Sequence, residues 1–251
     1  MDRKVENINP YGSGGQKHDQ VRRMFNNIAP AYDSMNTMMS FGLDRRWRDT
    51  LVDAVAGSES ARILDIATGT GDIAIAMARA IPGASVTGID LSEGLVALGR
   101  RKVAAAGLDT RVTLTTGDAL ALPFDDDAFD AVTVAYGVRN FEHLDRGYAE
   151  MLRVLRPGGR LFVLELTTPQ NILLRPGYAI YTRAVIPVLG RLMSGDYHAY
   201  SYLLRSIRAV PMRRAMCSVI TGAGFADAAF SSLFPGVCAL YTATKPVTSN
   251  N

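Results

Sequence analysis

The spacing of apolar residues changes character along the chain, and the changes divide it. Val21, Met24, Phe25 and Ile28 recur at three- and four-residue intervals, one face of a helix, so residues 18–29 are predicted helical. Pro30 interrupts the pattern, and 32–55 is predicted to continue as helix. From residue 61 short apolar runs alternate with amphipathic stretches. Residues 62–67, 85–90, 111–116, 129–135 and 160–166 are predicted strands. Between them, 71–80, 92–106 and a segment near 145–155 are predicted helices. Ser92 is the expected N-cap of the second, and Pro157-Gly158-Gly159 stops the third. Strands alternating with helices predict an α/β, Rossmann-like, doubly wound parallel sheet. After Pro169 the rhythm changes: 173–193 and 197–207 are predicted helices laid over the sheet. A helix over 212–223, ending at Gly224, and strands over 225–230 and 236–244 close the chain.

Asn9-Pro10 and Gly12-Ser13-Gly14-Gly15 predict a mobile arm over 1–17. The expected organisation is then one domain over 18–245, with N-terminal helices at 18–57, a helical lid at 170–210, and a tail at 246–251. Composition adds exclusions. With 48% hydrophobic and 20% charged residues in 251, the chain is expected to be globular. Its 27 basic and 24 acidic side chains leave +3, with no basic block, so no nucleic-acid partner is expected. Cys217 and Cys238 form no C-x-x-C pair and His18, His143 and His198 are scattered, so no metal is expected. The polar N-terminus does not read as a signal peptide, and the apolar stretch 178–193 is interrupted by Arg183, Pro187 and Arg191. It is shorter than the roughly 20 residues of a membrane span. A cytoplasmic location is expected.

The candidate chemistry centres on Asp65-Ile66-Ala67-Thr68-Gly69-Thr70-Gly71-Asp72, where the first strand turns into its helix. Ligands of open parallel sheets bind beyond the carboxyl ends of strands, where glycine permits close backbone approach. Gly69-x-Gly71-x-x-Ala74 alone also matches a dinucleotide fingerprint. Three acids sharpen the reading. Asp65 can accept from a cationic amine but would repel a pyrophosphate. Asp90 ends the second strand, placed to take both ribose hydroxyls. Asp118, after the third strand, can accept from an adenine amino group. Together they point to an adenosine that carries an amino group. Solvation of Asp118 and helix capping by Asp72 are the structural alternatives. A short-chain NAD-dependent oxidoreductase would need Tyr-x-x-x-Lys; Tyr148, Tyr178, Tyr181, Tyr197, Tyr200 and Tyr202 all lack that Lys.

These motifs, with Arg156-Pro157-Gly158-Gly159, resemble the class I S-adenosylmethionine-dependent methyltransferases. Phe25-Asn26-Asn27-Ile28-Ala29-Pro30-Ala31-Tyr32-Asp33, Ser40-x-Gly42-x-x-x-x-Trp47-Arg48 and Tyr136-Gly137-Val138-Arg139-Asn140 narrow the likeness. With Tyr202-Leu203-x-x-Ser206-Ile207 they are similar to the ubiquinone/menaquinone biosynthesis C-methyltransferases, over about 21–245. The resemblance implies a seven-stranded sheet of order 3-2-1-4-5-7-6 and S-adenosyl-L-methionine as cofactor. It implies C-methylation of a polyprenylated quinol: demethylmenaquinol, or alternatively a benzoquinol precursor or another small lipid. Thr70, Asp90, Asp118 and Ala119 are implied cofactor contacts; Tyr32, Asp65, Gly69, Gly71 and Leu91 complete the expected set. Position 67 is Ala where many superfamily members have Gly, and position 135 is Ala where some members have Ser.

A quinol carbon attacks well only once a neighbouring hydroxyl loses its proton, and a cation lowers that hydroxyl's pKa from about 10. Arg139 is the expected stabiliser of the phenolate and Asn140 the group orienting the ring. A salt bridge from Arg139 to Glu142, Asp145 or Glu165 is the structural alternative. His198, among Tyr197, Tyr200 and Tyr202, is the candidate base, with water as its alternative. Apolar residues of 178–204 can line a groove for the prenyl tail or simply pack the core. Arg175, Arg183 and Arg191 can face lipid headgroups in transient, peripheral contact with the inner face of a membrane. The apolar C-terminal strand and helices offer a surface for a homodimer. A non-catalytic scaffold is disfavoured by the intact glycines and acids.

Overall fold

The computed structural model describes residues 3–12, 14–58, 60–186, 188 and 197–247. Strands β1 (Arg62–Ile66), β2 (Ser85–Asp90), β3 (Val112–Thr116), β4 (Phe129–Ala135) and β5 (Leu155–Leu166) pair in parallel. β7 (Cys238–Thr244) runs antiparallel between β5 and β6 (Ala226–Leu233). The order is β3-β2-β1-β4-β5-β7-β6, as the resemblance implied. The sheet is mixed rather than parallel throughout, because a short hairpin joins β6 to β7.

Alternation along the strands builds two apolar layers. Ile63, Ala131, Phe162 and Leu164 pack with α3 (Leu43–Ala56), α4 (Asp72–Ala80) and α5 (Glu93–Ala105). Leu64, Val132, Leu161 and Val163 pack with α6 (Leu144–Val154) and the helix Arg214–Gly222. Helices on both faces make the sheet doubly wound. A third, smaller core joins α1 (Lys17–Ile28) and α2 (Tyr32–Met39) to the helix Tyr197–Ala209, through Val21, Met24, Met35, Tyr200 and Tyr202. That cluster roofs the carboxyl ends of β1 and β4, where the strand order reverses.

Several expectations need correction. The helix over 32–55 is broken at Phe41 and Gly42, both left-handed (φ 51° and 75°), giving α2 and α3. The fifth strand begins at Leu155, and Pro157-Gly158-Gly159 lies within it, at the register shift against β4. The helix over 173–193 is described only in part, as α7 (Arg175–Ile180) followed by a wider turn, Tyr181–Val185. Residues 189–193, with Arg191, lie outside the described residues.

The arm over 1–17, expected to be free, is docked where it is described. Val5 is fully buried in the core with Leu144 and Tyr148. Glu6 accepts from the backbone N–H of Leu144 (2.8 Å), supplying an acceptor and a negative charge at the start of α6. A single apolar residue with no periodic neighbours carries no sequence signal, which is why this docking was not legible.

Candidate functional site

The turn after β1 is built from left-handed residues: Ala67 (φ 54°), Gly69 (φ 57°) and Gly71 (φ 76°). Ala67 holds this conformation at a cost of about 1–2 kcal/mol, as an L-residue must. A Cβ on Gly71 would also come within 2.9 Å of Leu114. The chain thereby turns tightly and brings the Gly69 N–H onto Asp90 Oδ2 at 2.8 Å. Asp90 Oδ1 accepts from the Ser92 N–H, also at 2.8 Å. Ser92 in turn caps α5, accepting from Leu95 N–H, as expected. Asp90 is thus fixed by the backbone, with lone pairs left for a diol.

Three cavities meet at this turn, and Tyr32 and Tyr136 line all of them. The first joins Asp90, Leu91, Asp118 and Ala119 beneath Val21 and Phe25 of α1. Asp118 is held by the Leu120 N–H (2.9 Å) and faces His18 Nε2 at 3.6 Å. The second holds Asp65, Ala67, Thr68 and Thr70. Asp65 is buried and accepts from the hydroxyls of Thr68 and Thr133, each at 2.6 Å. Burial pushes its carboxyl up to about 6, against the pull of those hydroxyls. Burial also raises Asp90, against the N–H groups of Ser92, Gly69 and Leu91. A cationic ligand seated beside both carboxylates stabilises their ionised forms, so these residues fit an adenosine bearing a cation.

Thr70 does more than line the cleft. Its hydroxyl donates to Asp33 (2.6 Å) and accepts from Lys102 (2.9 Å). Lys102 also bridges Asp33 and Asp72, and Arg48 joins Asp72 to Asp44. The glycine turn is thereby tied to α2 and α3. Gly71, not Asp72, is the N-cap of α4; Asp72 belongs to this ion network, which holds its carboxyl below the usual range despite burial. Sequence spacing gave no sign of Lys102, which is distant in the chain from every partner.

The third cavity is apolar and encloses about 1060 Å³, its open mouth included. Met24, Phe25, Met35, Tyr178, Ile186, Tyr200 and Arg139 are among its walls, and Asn140 lies where it meets the cofactor cleft. Arg139 is buried, and its Nη1 donates to Glu165 Oε1 at 2.7 Å and to the carbonyl of Tyr136. Burial opposes its charge, but Glu165, Tyr32 and Tyr202 outweigh that and raise its pKa. Arg139 is thus ion-paired to Glu165, one of the three expected partners, and also lines the cavity. Asn140 accepts from the hydroxyl of Tyr202 (3.1 Å) and donates to the Tyr136 carbonyl (3.4 Å).

Sequence reasoning missed two groups here. Glu165 entered only as one of three candidate partners of Arg139. Tyr136 was noticed only as part of a motif, yet it is left-handed (φ 57°) and its buried hydroxyl has no hydrogen-bond partner. His198 is the correction: it is exposed on the helix Tyr197–Ala209, its ring 5.8 Å from that of Tyr11, and it lines none of the three cavities. Tyr200 and Tyr202 of the same helix are buried, while His198, in its first turn, stays exposed beside Tyr11.

Comparison with known proteins follows the same lines. The model of the ubiE/COQ5 methyltransferase family matches residues 14–245. A demethylmenaquinone methyltransferase of Bacteroides fragilis is 45% identical, covering 98% of this chain and 100% of its own length. A ubiquinone/menaquinone biosynthesis C-methyltransferase of Geobacter sulfurreducens is 43% identical over 92% of this chain and 90% of its own. Among solved structures, a SAM-dependent methyltransferase of Thermotoga maritima shares the fold with a TM-score of 0.61 at 16% identity, covering 89% of this chain and 99% of that one.

Proposed function

The chain belongs to the ubiE/COQ5 methyltransferase family, and from that premise we propose that it methylates a ring carbon of a polyprenylated quinol, demethylmenaquinol, from S-adenosylmethionine. The observation that carries the reading is the apolar cavity, which meets the acidic cofactor cleft at Tyr32, Tyr136 and Asn140 and has Arg139 in its wall. A flat ring with a long apolar tail is the substrate such a cavity suits, and the relatives' names specify it as demethylmenaquinone.

When bound, the cofactor supplies an electrophilic methyl group on a sulfonium. Asp90 holds the ribose hydroxyls, Asp118 the adenine amino group, and Asp65 favours the positive end. Tyr32, against Gly69 and between the cavities, closes water away from the methyl. Arg139 favours the phenolate of the quinol, and Asn140, braced by Tyr202, orients the ring. Because Glu165 balances Arg139's charge, the phenolate is stabilised by directed N–H donation more than by net positive charge. Water is the proton acceptor, since His198 lines none of the cavities.

Among the described residues no helix is long and apolar enough to cross a membrane. The substrate's tail nevertheless favours transient contact with a bilayer surface. Beside the cavity wall, Phe41 packs on Tyr181 with centroids 5.5 Å apart, and Phe41, Ile172 and Leu173 are exposed. Arg175 and Arg183 are exposed nearby in the chain, suited to anionic headgroups.

The test is methyl transfer from labelled S-adenosylmethionine to short-chain demethylmenaquinol and to a benzoquinol precursor. Transfer to the naphthoquinol is expected. Transfer to the benzoquinol alone moves the assignment to that ring, and transfer to neither, with cofactor bound, overturns the reading.

A further inference from the structure

Lys17, the first residue of α1, is buried to 2% exposure with its ammonium inside the protein. Its Nζ donates to three backbone carbonyls: Val5 at 2.7 Å, Phe141 at 3.0 Å and Arg139 at 3.3 Å. The last two flank Asn140. One cation therefore pins the Arg139–Asn140 turn to α1 and to the docked arm at the same time. We propose that Lys17 is a positioning residue for methyl transfer, which must be protonated to hold the Arg139–Asn140 turn against the substrate cavity. This rests on the assignment of Arg139 and Asn140 to the reacting ring.

The chemistry follows from donor counts. An ammonium has three N–H donors and meets three carbonyls; a neutral amine has two donors and turns a lone pair on the third. The longest contact, to the carbonyl of Arg139, is the one a deprotonated Lys17 gives up. The surroundings make that proton comparatively easy to lose. Burial lowers the ammonium's pKa to about 8, opposed by Glu6 and Glu142 and aided by Arg139. Neighbouring charges are engaged elsewhere: Arg3 pairs with Asp145 and Glu6, and His18 faces Asp118.

The sign separates positioning from a merely structural role. With its folded pKa below its ordinary value of 10.5, Lys17 binds fewer protons in the fold than unfolded between about 8 and 10.5. Its contribution to stability therefore rises with pH across that window. Turnover is expected to fall across the same window, so activity and stability diverge.

The experiment compares pH profiles of kcat and KM for methyl transfer in the wild type, Lys17→Arg and Lys17→Gln, alongside melting temperature and cofactor affinity. Wild-type kcat is expected to fall on an alkaline limb starting near 8, with melting temperature not falling in parallel. Lys17→Arg, charged throughout, is expected to remove that limb. Lys17→Gln is expected to lose about tenfold in kcat at neutral pH, a displacement effect, with KM and cofactor affinity little changed. A limb identical in wild type and Lys17→Arg overturns the proposal, as does wild-type kcat in Lys17→Gln. Hydrogen exchange of residues 138–141 gives a readout independent of substrate. Faster exchange in folded Lys17→Gln, corrected for intrinsic rates, is expected, and unchanged exchange overturns the clamp even where no quinol is methylated. Should Lys17→Gln fail to fold, the wild-type and Lys17→Arg profiles still decide.

Discussion

The cofactor cleft and the substrate cavity share two walls, Tyr32 and Tyr136, yet they are built on different principles. In the cleft, Asp90 is held by backbone N–H groups of its own and the neighbouring turn, and Asp65 by Thr68 of the turn after β1 and Thr133 of β4. Its geometry follows from the rigid sheet. The cavity is assembled from side chains of α1, α2 and the helices after β5, and its polar centre depends on one buried ion pair, Arg139–Glu165. One site is specified locally, the other only by tertiary packing. Changes to the cavity's centre should therefore damage fold and chemistry together, whereas changes in the cleft should act mainly on binding.

Arg139→Ala is the largest expected break. It leaves Glu165 as a buried, unpaired carboxylate, a loss of about 3–5 kcal/mol in stability. In whatever protein remains folded, turnover should fall about a hundredfold, or about 2.7 kcal/mol in the barrier. The double variant Arg139→Gln with Glu165→Gln separates the two effects: melting temperature should largely recover and kcat should not. Recovery of kcat in the double variant would remove Arg139 from the chemistry.

Asp90→Ala probes the other region. It strands the N–H groups of Gly69 and Ser92 and removes the acceptor for the ribose. Calorimetry should show cofactor binding weakened by about 2 kcal/mol, roughly thirtyfold. Equal affinity in the variant would refute the ribose assignment.

The same contrast explains what was legible in the sequence. The β1 turn and the three acids lie within 65–119 and, like the strand positions, follow local rules of periodicity and glycine placement. The strand order and the swap of β6 and β7 came from the resemblance, since no local rule says where a returning strand will insert. The cavity brings Met24 against Tyr200 and Arg139 against Glu165, pairings that no spacing predicts. Val5 and Lys17 were placed in a free arm because a Gly-rich segment hides the few residues in it that bury. His198 stands among tyrosines in the sequence, but in the fold it is exposed beside Tyr11 while Tyr200 and Tyr202 are buried, a difference that residue order does not show.

A pH titration of the cleft sharpens the comparison without disturbing the fold. Asp65 lies at about 6 in the folded protein against an ordinary 3.8. Between those values the folded state binds more protons than the unfolded, so this group's contribution to stability falls as pH rises from 3.8 to about 6. Cofactor affinity runs the other way, since the ionised carboxylate is the form a cation prefers. Asp65→Asn should flatten both dependences, raise the melting temperature of the cofactor-free protein above pH 6, and weaken cofactor binding. If the variant binds as tightly as wild type at neutral pH, Asp65 does not serve the cationic end.

His198→Ala is expected to do least, and for that reason it tests the partition of the site most directly. The side chain lies outside against Tyr11, so truncation should change stability by no more than about 0.5 kcal/mol. A base acting on the quinol must come within hydrogen-bond reach of its hydroxyl, directly or through one water. From the same helix Ala199, Tyr200, Tyr202, Leu203 and Ile207 line this cavity, and His198 does not. The profile of kcat against pH should therefore match wild type. A depressed kcat with the fold intact would mean the helix turns during turnover and brings His198 inward. The cavity would then be completed by motion rather than by packing, while the cleft stays fixed by the sheet.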